Sequence, residues 1–173
     1  TEAYLTHGME DYFEPAIHIR HNDYNSSLLL KYVDHSSNNT GNGINETVIT
    51  LKDDKYPVTV KLHYVAYDKE NIIRTFTEIS HEEKKPVILS KYASSMLHLN
   101  SSKYFLTEFS GDWAHEANVT ERELAFGKKV IDTKLGARAN MFVSPFFQLA
   151  LDNPSQENAG EVLVGTIGWT GNF

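Results

Sequence analysis

The sequence predicts an all-β protein, folded as an antiparallel β-sandwich, from three observations. Apolar and polar side chains alternate over residues 58–67, as they do in a strand with one buried face. The other candidate strands are mostly short and are separated by clusters of Asn, Ser, Gly or Asp. No segment keeps the apolar spacing of an amphipathic helix over its length. Strands that follow one another without intervening helices favour antiparallel pairing.

Nine strands are expected along the chain, and two of them form a hairpin through the polar residues 68–71. Residues 36–43 are all turn-forming types, which favours the tip of a long hairpin over a loop that binds a ligand or partner. Residues 152–155 predict a second turn of this kind. Residues 115–131 come closest to a helical pattern, but Gly127 interrupts it and limits the prediction to one turn. The expected strands are 16–20, 28–34, 47–52, 58–67, 72–79, 87–92, 103–109, 140–150 and 161–169.

Length and composition restrict the function. The 173 residues suit one domain, over residues 1–173. Because 23 acidic residues outnumber 16 basic ones, no nucleic-acid partner is expected. No apolar run reaches the roughly 18 residues of a membrane-spanning helix, so no membrane partner is expected either. The lack of cysteine excludes thiol catalysis and Cys-based metal sites, and it is compatible with the cytoplasmic location that we expect.

Few residues form a constellation with recognisable catalytic chemistry. His115 and Glu116 lack the second His that a zinc protease places one helical turn later, so no metal is expected. The glycines do not form the phosphate-binding pattern of a nucleotide site, and no cofactor is expected. No G-x-S-x-G turn is present, although the composition leaves Ser-His-Asp chemistry open.

The most suggestive cluster lies around Trp113, which is flanked by Asp112 and Glu116. An aromatic ring beside two carboxylates suits a sugar site, where the ring stacks on the apolar sugar face and the acids bind hydroxyls. The structural alternative, which the residues alone favour, is a turn anchored by Trp113 whose acids pair with Arg122 or Arg138.

The ordered motifs of the chain resemble those of one family. Residues 109–116 are similar to the SGDWARE signature of the N-terminal domain of bacterial α-galactosidases in glycoside hydrolase family 36. Further similarities follow in the family's order, and the resemblance covers nearly the whole chain. The matching positions are Gly8 with residues 11–16 ("G..DFREPA"), Arg122, Leu124, Gly127, Gly136, Arg138, residues 144–149 ("NPF"), residues 157–162 ("E..GEV") and residues 169–173 ("YSGNF").

The resemblance implies a β-supersandwich, the fold class also seen in galactose mutarotases, packed on a (β/α)₈ barrel. In the family, that barrel hydrolyses α-galactosides with two aspartates and with retention of configuration. The nucleophile lies in a KWD motif that this sequence does not contain, so no catalytic residue is expected in the chain. We expect the chain to be a piece of such an N-terminal domain, incomplete at both ends.

The resemblance also implies contacts and partners. Many members are tetramers, in which an N-terminal loop of a neighbouring subunit shapes the entrance to the active site. The matching segment makes Asp11 and Phe13 candidate substrate-binding residues, although Phe13 stands where many members have Arg. Trp113 and Glu116 are the candidate contacts with the barrel, and Trp113 is expected to be mostly buried. The expected partners are the chain's own downstream barrel, α-galactosides of the melibiose or raffinose type, and further copies of the same chain in a homo-oligomer.

The main expectation is therefore a non-catalytic part of an enzyme that removes terminal α-D-galactosyl residues, inactive by itself. It would support the barrel, the oligomer and the substrate channel. Two alternatives stay open. A free-standing carbohydrate-binding module would present an exposed aromatic platform. A mutarotase-like epimerase would need a His acid and a Glu base in one cleft, and the sequence does not place such residues together.

Overall fold

The computed structural model describes residues 3–8, 14–169 and 171–173, and within them the chain is all-β, as predicted. These residues contain ten strands, one short 3₁₀ turn at Gly136–Arg138 and no α-helix. The strands are β1 (Ile17–Arg20), β2 (Leu30–Gly41), β3 (Ile44–Asp53), β4 (Val58–Tyr67), β5 (Ile72–His81), β6 (Ile88–Tyr92), β7 (Tyr104–Asp112), β8 (His115–Glu123), β9 (Val143–Gln156) and β10 (Ala159–Gly165). No helix in this described part of the chain is long and apolar enough to cross a bilayer.

The strands belong to two compact units, Thr1–His98 and Leu99–Phe173. The first unit contains a four-stranded sheet in the order β2-β3-β4-β5 and a two-stranded ribbon of β1 and β6. The second contains a four-stranded sheet in the order β10-β9-β7-β8. All strand pairs in both units are antiparallel, which confirms the predicted pairing.

The core of the first unit lies between the ribbon and one face of the sheet. Val58, Val60 and Leu62 are at most 5% exposed, which confirms the alternation on which the strand prediction was based. Ile17 and Ile19 of the ribbon pack against them in the same cluster. Burying a branched aliphatic side chain of this size contributes about 1.5–3 kcal/mol, so this layer stabilises the unit.

The hairpin between β4 and β5 forms where it is predicted, with residues 68–71 as the connection. Asn71 has a φ of 53°, a left-handed conformation that Asn adopts more readily than most residues. The neighbouring hairpin of β2 and β3 turns at Asn42 and Gly43, whose φ angles of 57° and 81° suit a type I′ turn.

The prediction of a loop over residues 36–43 is wrong for most of that segment, because β2 continues to Gly41. The register with β3 explains the extension, since it pairs Ser37 with Thr47 and brings their hydroxyls within 3.0 Å. Within residues 36–43, only the tip of the hairpin, at Asn42 and Gly43, is a turn. The ladder of β3 therefore overrides the weak strand propensity of Asn and Ser.

Two other local predictions are corrected in the second unit. Residues 115–123 form β8 and not a helical turn, because they pair along the whole edge of β7. Residues 152–155 lie inside β9, and the turn falls at residues 157–158. The register between β9 and β10 shifts next to this segment, and Asp152 has a φ of 64°, so the turn-forming residues occupy an irregularity of the strand.

Candidate functional site

The hairpin of β7 and β8 carries the predicted Trp113 cluster at its tip. Asp112 pairs with His115 across the turn, and the side-chain carboxylate of Asp112 accepts a hydrogen bond of 2.7 Å from the backbone N–H of Trp113. Ala114 completes the turn with a φ of 60°. This backbone contact fixes the turn, and it leaves the indole ring outside: Trp113 is 84% exposed.

The tip lies against the chain that follows the 3₁₀ turn. The backbone N–H of Gly111 donates a hydrogen bond of 3.0 Å to the carbonyl oxygen of Phe142. A Cβ atom at Gly111 would lie only 2.9 Å from the carbonyl oxygen of Met141, closer than real Cβ atoms come. Glycine is therefore what lets the hairpin approach this segment.

Two cavities open beside this contact, and Asn140 and Met141 line both of them. The larger, of about 550 Å³, is lined by Trp113 and by Arg138. The smaller, of about 300 Å³, is lined by Glu116 and by the backbone around Gly111. Ligand pockets usually enclose about 300–1,000 Å³, so both have the size of a binding site.

The motifs that carry the family resemblance meet at these cavities. Ser144 and Phe146, from the motif of residues 144–149, line the smaller cavity together with Phe109 from the motif of residues 109–116. The rings of Phe109 and Phe146 pack at 5.2 Å between centroids and form an apolar wall. Arg138 belongs to the intervening set of matching residues and lines the larger cavity. Segments some 30 residues apart in the sequence are thus joined in one site.

The structure corrects two expectations about the cluster. The prediction that Trp113 is mostly buried is wrong, because the turn is held by backbone contacts and not by indole packing. Arg122 does not provide the ion pair expected for Asp112 or Glu116. Its guanidinium lies 3.3 Å from the carboxylate of Glu108, which Lys129 also contacts at 2.9 Å.

Two His–Glu pairs, which the epimerase alternative requires, do occur in the first unit. The ring of His21 contacts Glu83 but is fully buried, and both of its nitrogens have partners. His63 lies between Glu46 and Glu78, at 3.1 and 3.6 Å. The cavity that His63 lines holds about 50 Å³, well below the usual size of a ligand pocket. His21 is therefore inaccessible to a sugar, and the cavity beside His63 is too small to hold one.

A further cavity of about 350 Å³ lies on the sheet of the second unit, and its walls are aliphatic and aromatic apart from Lys129. It has few groups that could bind sugar hydroxyls. No cluster of three or more His, Asp or Glu placed to hold a metal ion occurs in residues 3–8, 14–169 and 171–173. The candidate substrate-binding residues Asp11 and Phe13 lie outside the described residues, and their role stays a prediction.

Several protein families can share such a fold, and comparison with known proteins shows to which of them this chain belongs. The model of the glycosyl hydrolase family 36 N-terminal domain matches residues 1–173, the whole chain. The chain belongs to this family. The predicted resemblance is thereby confirmed over the whole chain.

The relatives of this family 36 domain are α-galactosidases. "Alpha-galactosidase 2" of Pediococcus pentosaceus is 28% identical over 185 residues, which cover 98% of this chain and 25% of that protein. "Probable alpha-galactosidase G" of Aspergillus terreus is 26% identical, with 96% and 24% covered. The chain therefore spans about a quarter of the length of the curated relatives it matches.

Solved structures show the same fold. A family 36 α-galactosidase of Geobacillus stearothermophilus, in complex with stachyose, superposes with a TM-score of 0.81 at 23% identity. The match covers 99% of this chain and 26% of that one. The all-β fold with antiparallel sheets is thus that of the N-terminal part of these enzymes.

Sequence reasoning missed several residues of the site. Asn140 and Met141 line both cavities, yet they belong to none of the matching motifs. They lie just after the 3₁₀ turn at Gly136–Arg138. Outside this site, the pair of His21 and Glu83 in the first unit was also missed, because the two residues are 62 positions apart and no local pattern links them. The only signal in the sequence that pointed to the segment of Asn140 and Met141 was that Gly136 and Arg138 follow residues 109–116 in the family's order.

Proposed function

We propose that this chain is the non-catalytic N-terminal portion of an α-galactosidase that removes terminal α-D-galactosyl residues from galactosides. Its role is to support the catalytic barrel, the oligomer and the channel through which substrate enters. The family match over residues 1–173 supports the kind of enzyme, and the curated relatives carry the name α-galactosidase. The substrates would be α-galactosides of the melibiose or raffinose type, and one of the similar enzymes was solved with raffinose.

The observation that carries the supporting role is the exposed indole of Trp113. The ring is 84% exposed at a turn that the backbone fixes, and it lines a cavity of about 550 Å³, so a docking surface could cover it. The hydrogen bond from the Trp113 N–H to Asp112 orients the turn before any partner arrives. Trp and Arg are also the residue types that are enriched where proteins contact one another, and Arg138 lines the same cavity.

Glu116 supports the same assignment from the neighbouring cavity. It is exposed and lines the smaller cavity, which Met141 also lines. A carboxylate there can accept hydrogen bonds from a barrel that docks on Trp113. We therefore assign the contact with the barrel to Trp113 and Glu116. The cytoplasmic location and the single domain over residues 1–173 stay predictions.

The experiment compares the Trp113→Ala variant in two settings, the 173-residue chain and the whole enzyme that carries it. The chain alone should keep its Tm, because the removed side chain is exposed. The whole enzyme should lose about 1–2 °C of Tm, since a buried interface aromatic contributes about 2 kcal/mol or more and the enzyme is about four times as long as this chain. A Glu116→Gln variant should give a smaller loss of the same kind.

Tyr24 provides the control, because it is 79% exposed but lies far from the hairpin in sequence and belongs to the other unit. A Tyr24→Ala variant should leave the Tm of the whole enzyme unchanged. If Trp113→Ala lowers the Tm of the whole enzyme no more than Tyr24→Ala does, the barrel does not rest on Trp113 and this assignment is wrong.

The second candidate function is sugar binding by the chain itself, which the exposed ring of Trp113 beside Arg138 and Asn140 favours. Titration of the isolated chain with melibiose and raffinose, followed by calorimetry, separates the two functions. Saturable heat that disappears in Trp113→Ala would favour a carbohydrate-binding module. The supporting role predicts no saturable binding to the isolated chain.

A further inference from the structure

A small cavity at one end of the β1–β6 ribbon brings two basic side chains together. It encloses about 200 Å³, less than the roughly 300–1,000 Å³ of most ligand pockets, so it suits a small group. Arg20 and Lys85 line it, and no carboxylate of the described residues does. The register of the ribbon explains the placement: Arg20 ends β1 directly opposite Ile88, the first residue of β6, and Lys85 precedes that strand by three positions.

Neither of these cations is neutralised by an acidic side chain. In the part of the chain that the structure describes, no carboxylate oxygen lies within 4.0 Å of the charged nitrogens of Arg20 or Lys85. Lys31, Lys61 and Lys103, by contrast, all pair with an Asp or Glu. Carboxylates are plentiful in a chain with a net charge of −7, so two converging cations without one need another explanation.

The two carboxylates of the neighbouring segments already have other partners. One oxygen of Asp23 accepts a hydrogen bond of 3.0 Å from the backbone N–H of Asn25, and the other accepts one of 2.9 Å from the hydroxyl of Tyr56. Glu83 is 3% exposed at its side chain, and its oxygens contact the ring of His21 at 2.6 Å and the backbone N–H of the following residue at 3.0 Å. All four oxygens are thus engaged, which leaves the two cations of the cavity available to an anion from solution.

An aromatic ring on a rigid loop holds one of the cations in place. The guanidinium of Arg20 lies over the ring of Tyr24, 5.8 Å from its centroid, within the range of a cation–π contact. Tyr24 has a φ of 71°, a left-handed conformation that is unusual for a bulky residue. Two backbone hydrogen bonds fix it, from the N–H of Tyr24 to the carbonyl of His21 and from the N–H of His21 to the carbonyl of Asn25. Residues held in such conformations cluster at binding sites.

An arginine beside a lysine is a combination that recognises phosphate. The guanidinium donates two parallel hydrogen bonds to phosphate oxygens, and the ammonium adds a point charge. The exposed Tyr24 and Ile88, together with Pro86, give the same cavity an apolar wall. We propose that this cavity binds a small phosphate monoester, with its phosphate on Arg20 and Lys85 and its organic part against Tyr24 and Ile88. The site lies wholly in the first unit and does not depend on the proposed function.

The test titrates the full 173-residue chain, labelled with ¹⁵N, with phenyl phosphate in low-salt buffer that contains no phosphate. At about pH 7 the phosphate group carries most of its second charge. The backbone NMR signals of residues 20–24, 85 and 87–88 should shift and reach saturation. Inorganic phosphate should bind more weakly, because it has no organic part, and phenol, which is neutral at this pH, should not bind. Added salt should weaken the binding of phenyl phosphate.

Four variants assign the binding to the cavity. Arg20→Gln and Lys85→Gln should each raise the Kd for phenyl phosphate about tenfold, the loss expected for one hydrogen bond to a charged group. Arg20→Lys keeps the charge but loses the planar fork, so its Kd should rise less. Lys84→Gln is the matched control, because Lys84 is an exposed neighbour of the same charge that does not line the cavity. Its Kd should stay within about twofold of the original.

The organic part of the ligand is tested with Tyr24→Ala, which should weaken the binding of phenyl phosphate more than that of inorganic phosphate. Without ligand this variant should keep the Tm of the original chain, because the ring is exposed. Equal losses in Lys84→Gln and Lys85→Gln would show that overall charge alone attracts the ligand, and would overturn the proposal. Equal affinities for phenyl phosphate and inorganic phosphate, or no saturation by about 20 mM phenyl phosphate, would overturn it as well.

Discussion

The carbonyl oxygen of Met141 lies only 2.9 Å from the position that a Cβ atom on Gly111 would occupy, closer than real Cβ atoms come. This approach brings the β7–β8 hairpin onto the segment after Gly136–Arg138 and so forms both cavities of the candidate site. The position of Trp113 therefore depends on a residue that has no side chain of its own.

A Gly111→Ala substitution should displace the hairpin from Met141 and lower the free energy of unfolding. Forcing an extra methyl group into a packed place costs about 1–3 kcal/mol, which corresponds to a loss of several degrees in Tm. Thermal unfolding followed by circular dichroism measures the loss. Gly168→Ala is the matched control, because its added Cβ would meet nothing within 4 Å. Similar Tm values for both variants would show that the close approach does not matter.

A Trp113→Ala substitution should leave the stability of the isolated chain within about 0.5 kcal/mol of the original, because the indole is 84% exposed. Ile17→Ala gives the scale for a buried side chain, since Ile17 is fully buried and such changes cost about 2–5 kcal/mol. Urea unfolding of the two variants provides both values. A loss for Trp113→Ala as large as that for Ile17→Ala would mean that the ring packs in the core after all.

Asp152 should make the second unit sensitive to acid. The backbone N–H of Ser102, its hydroxyl and that of Ser101 donate to the carboxylate at 2.8–2.9 Å and lower the pKa of Asp152. The stabilising contribution is then present above the usual value of about 3.9 and is lost as the pH falls through the lower, folded value. Between about pH 6 and pH 3, Asp152→Asn should lose less Tm than the original chain.

The control for this acid dependence is Asp34→Asn, an exposed carboxylate of β2 in the other unit. It should keep the pH dependence of the original chain. An Asp152→Asn variant whose Tm falls with acid as steeply as that of Asp34→Asn would show that the serine contacts do not stabilise the charged form.

The sequence predicts strands well where burial imposes a pattern. Val58, Val60 and Leu62 alternate with polar residues because only one face of β4 is in the core, and the hairpin that follows was predicted with its turn. In β8 every residue is exposed, so no face needs apolar side chains and no periodicity marks the strand. An edge strand of this kind is recognisable only through its partner.

The candidate site was predicted in part. The motif around Trp113 was singled out because the family resemblance depends on residue identity and order, and it lies at the tip of the β7–β8 hairpin beside both cavities. Motif order carries no information about burial, so the exposure of Trp113 could not be predicted from it. Asn140 and Met141 were missed because they enter the site through the close approach to Gly111, a tertiary contact without a local signal.

The central claim is that the catalytic groups lie outside these 173 residues, and hydrolysis of p-nitrophenyl α-galactoside by the purified chain tests it most directly. Retaining hydrolysis needs two carboxyl groups about 5–5.5 Å apart in a pocket that positions the sugar. Here the Asp112 carboxylate is already bound to the backbone of Trp113. We predict no release of p-nitrophenol above the buffer rate, and release when the chain is joined to the catalytic barrel of the proposed α-galactosidase. Steady turnover by the chain alone, abolished by Asp112→Asn or Glu116→Gln, would contradict the account.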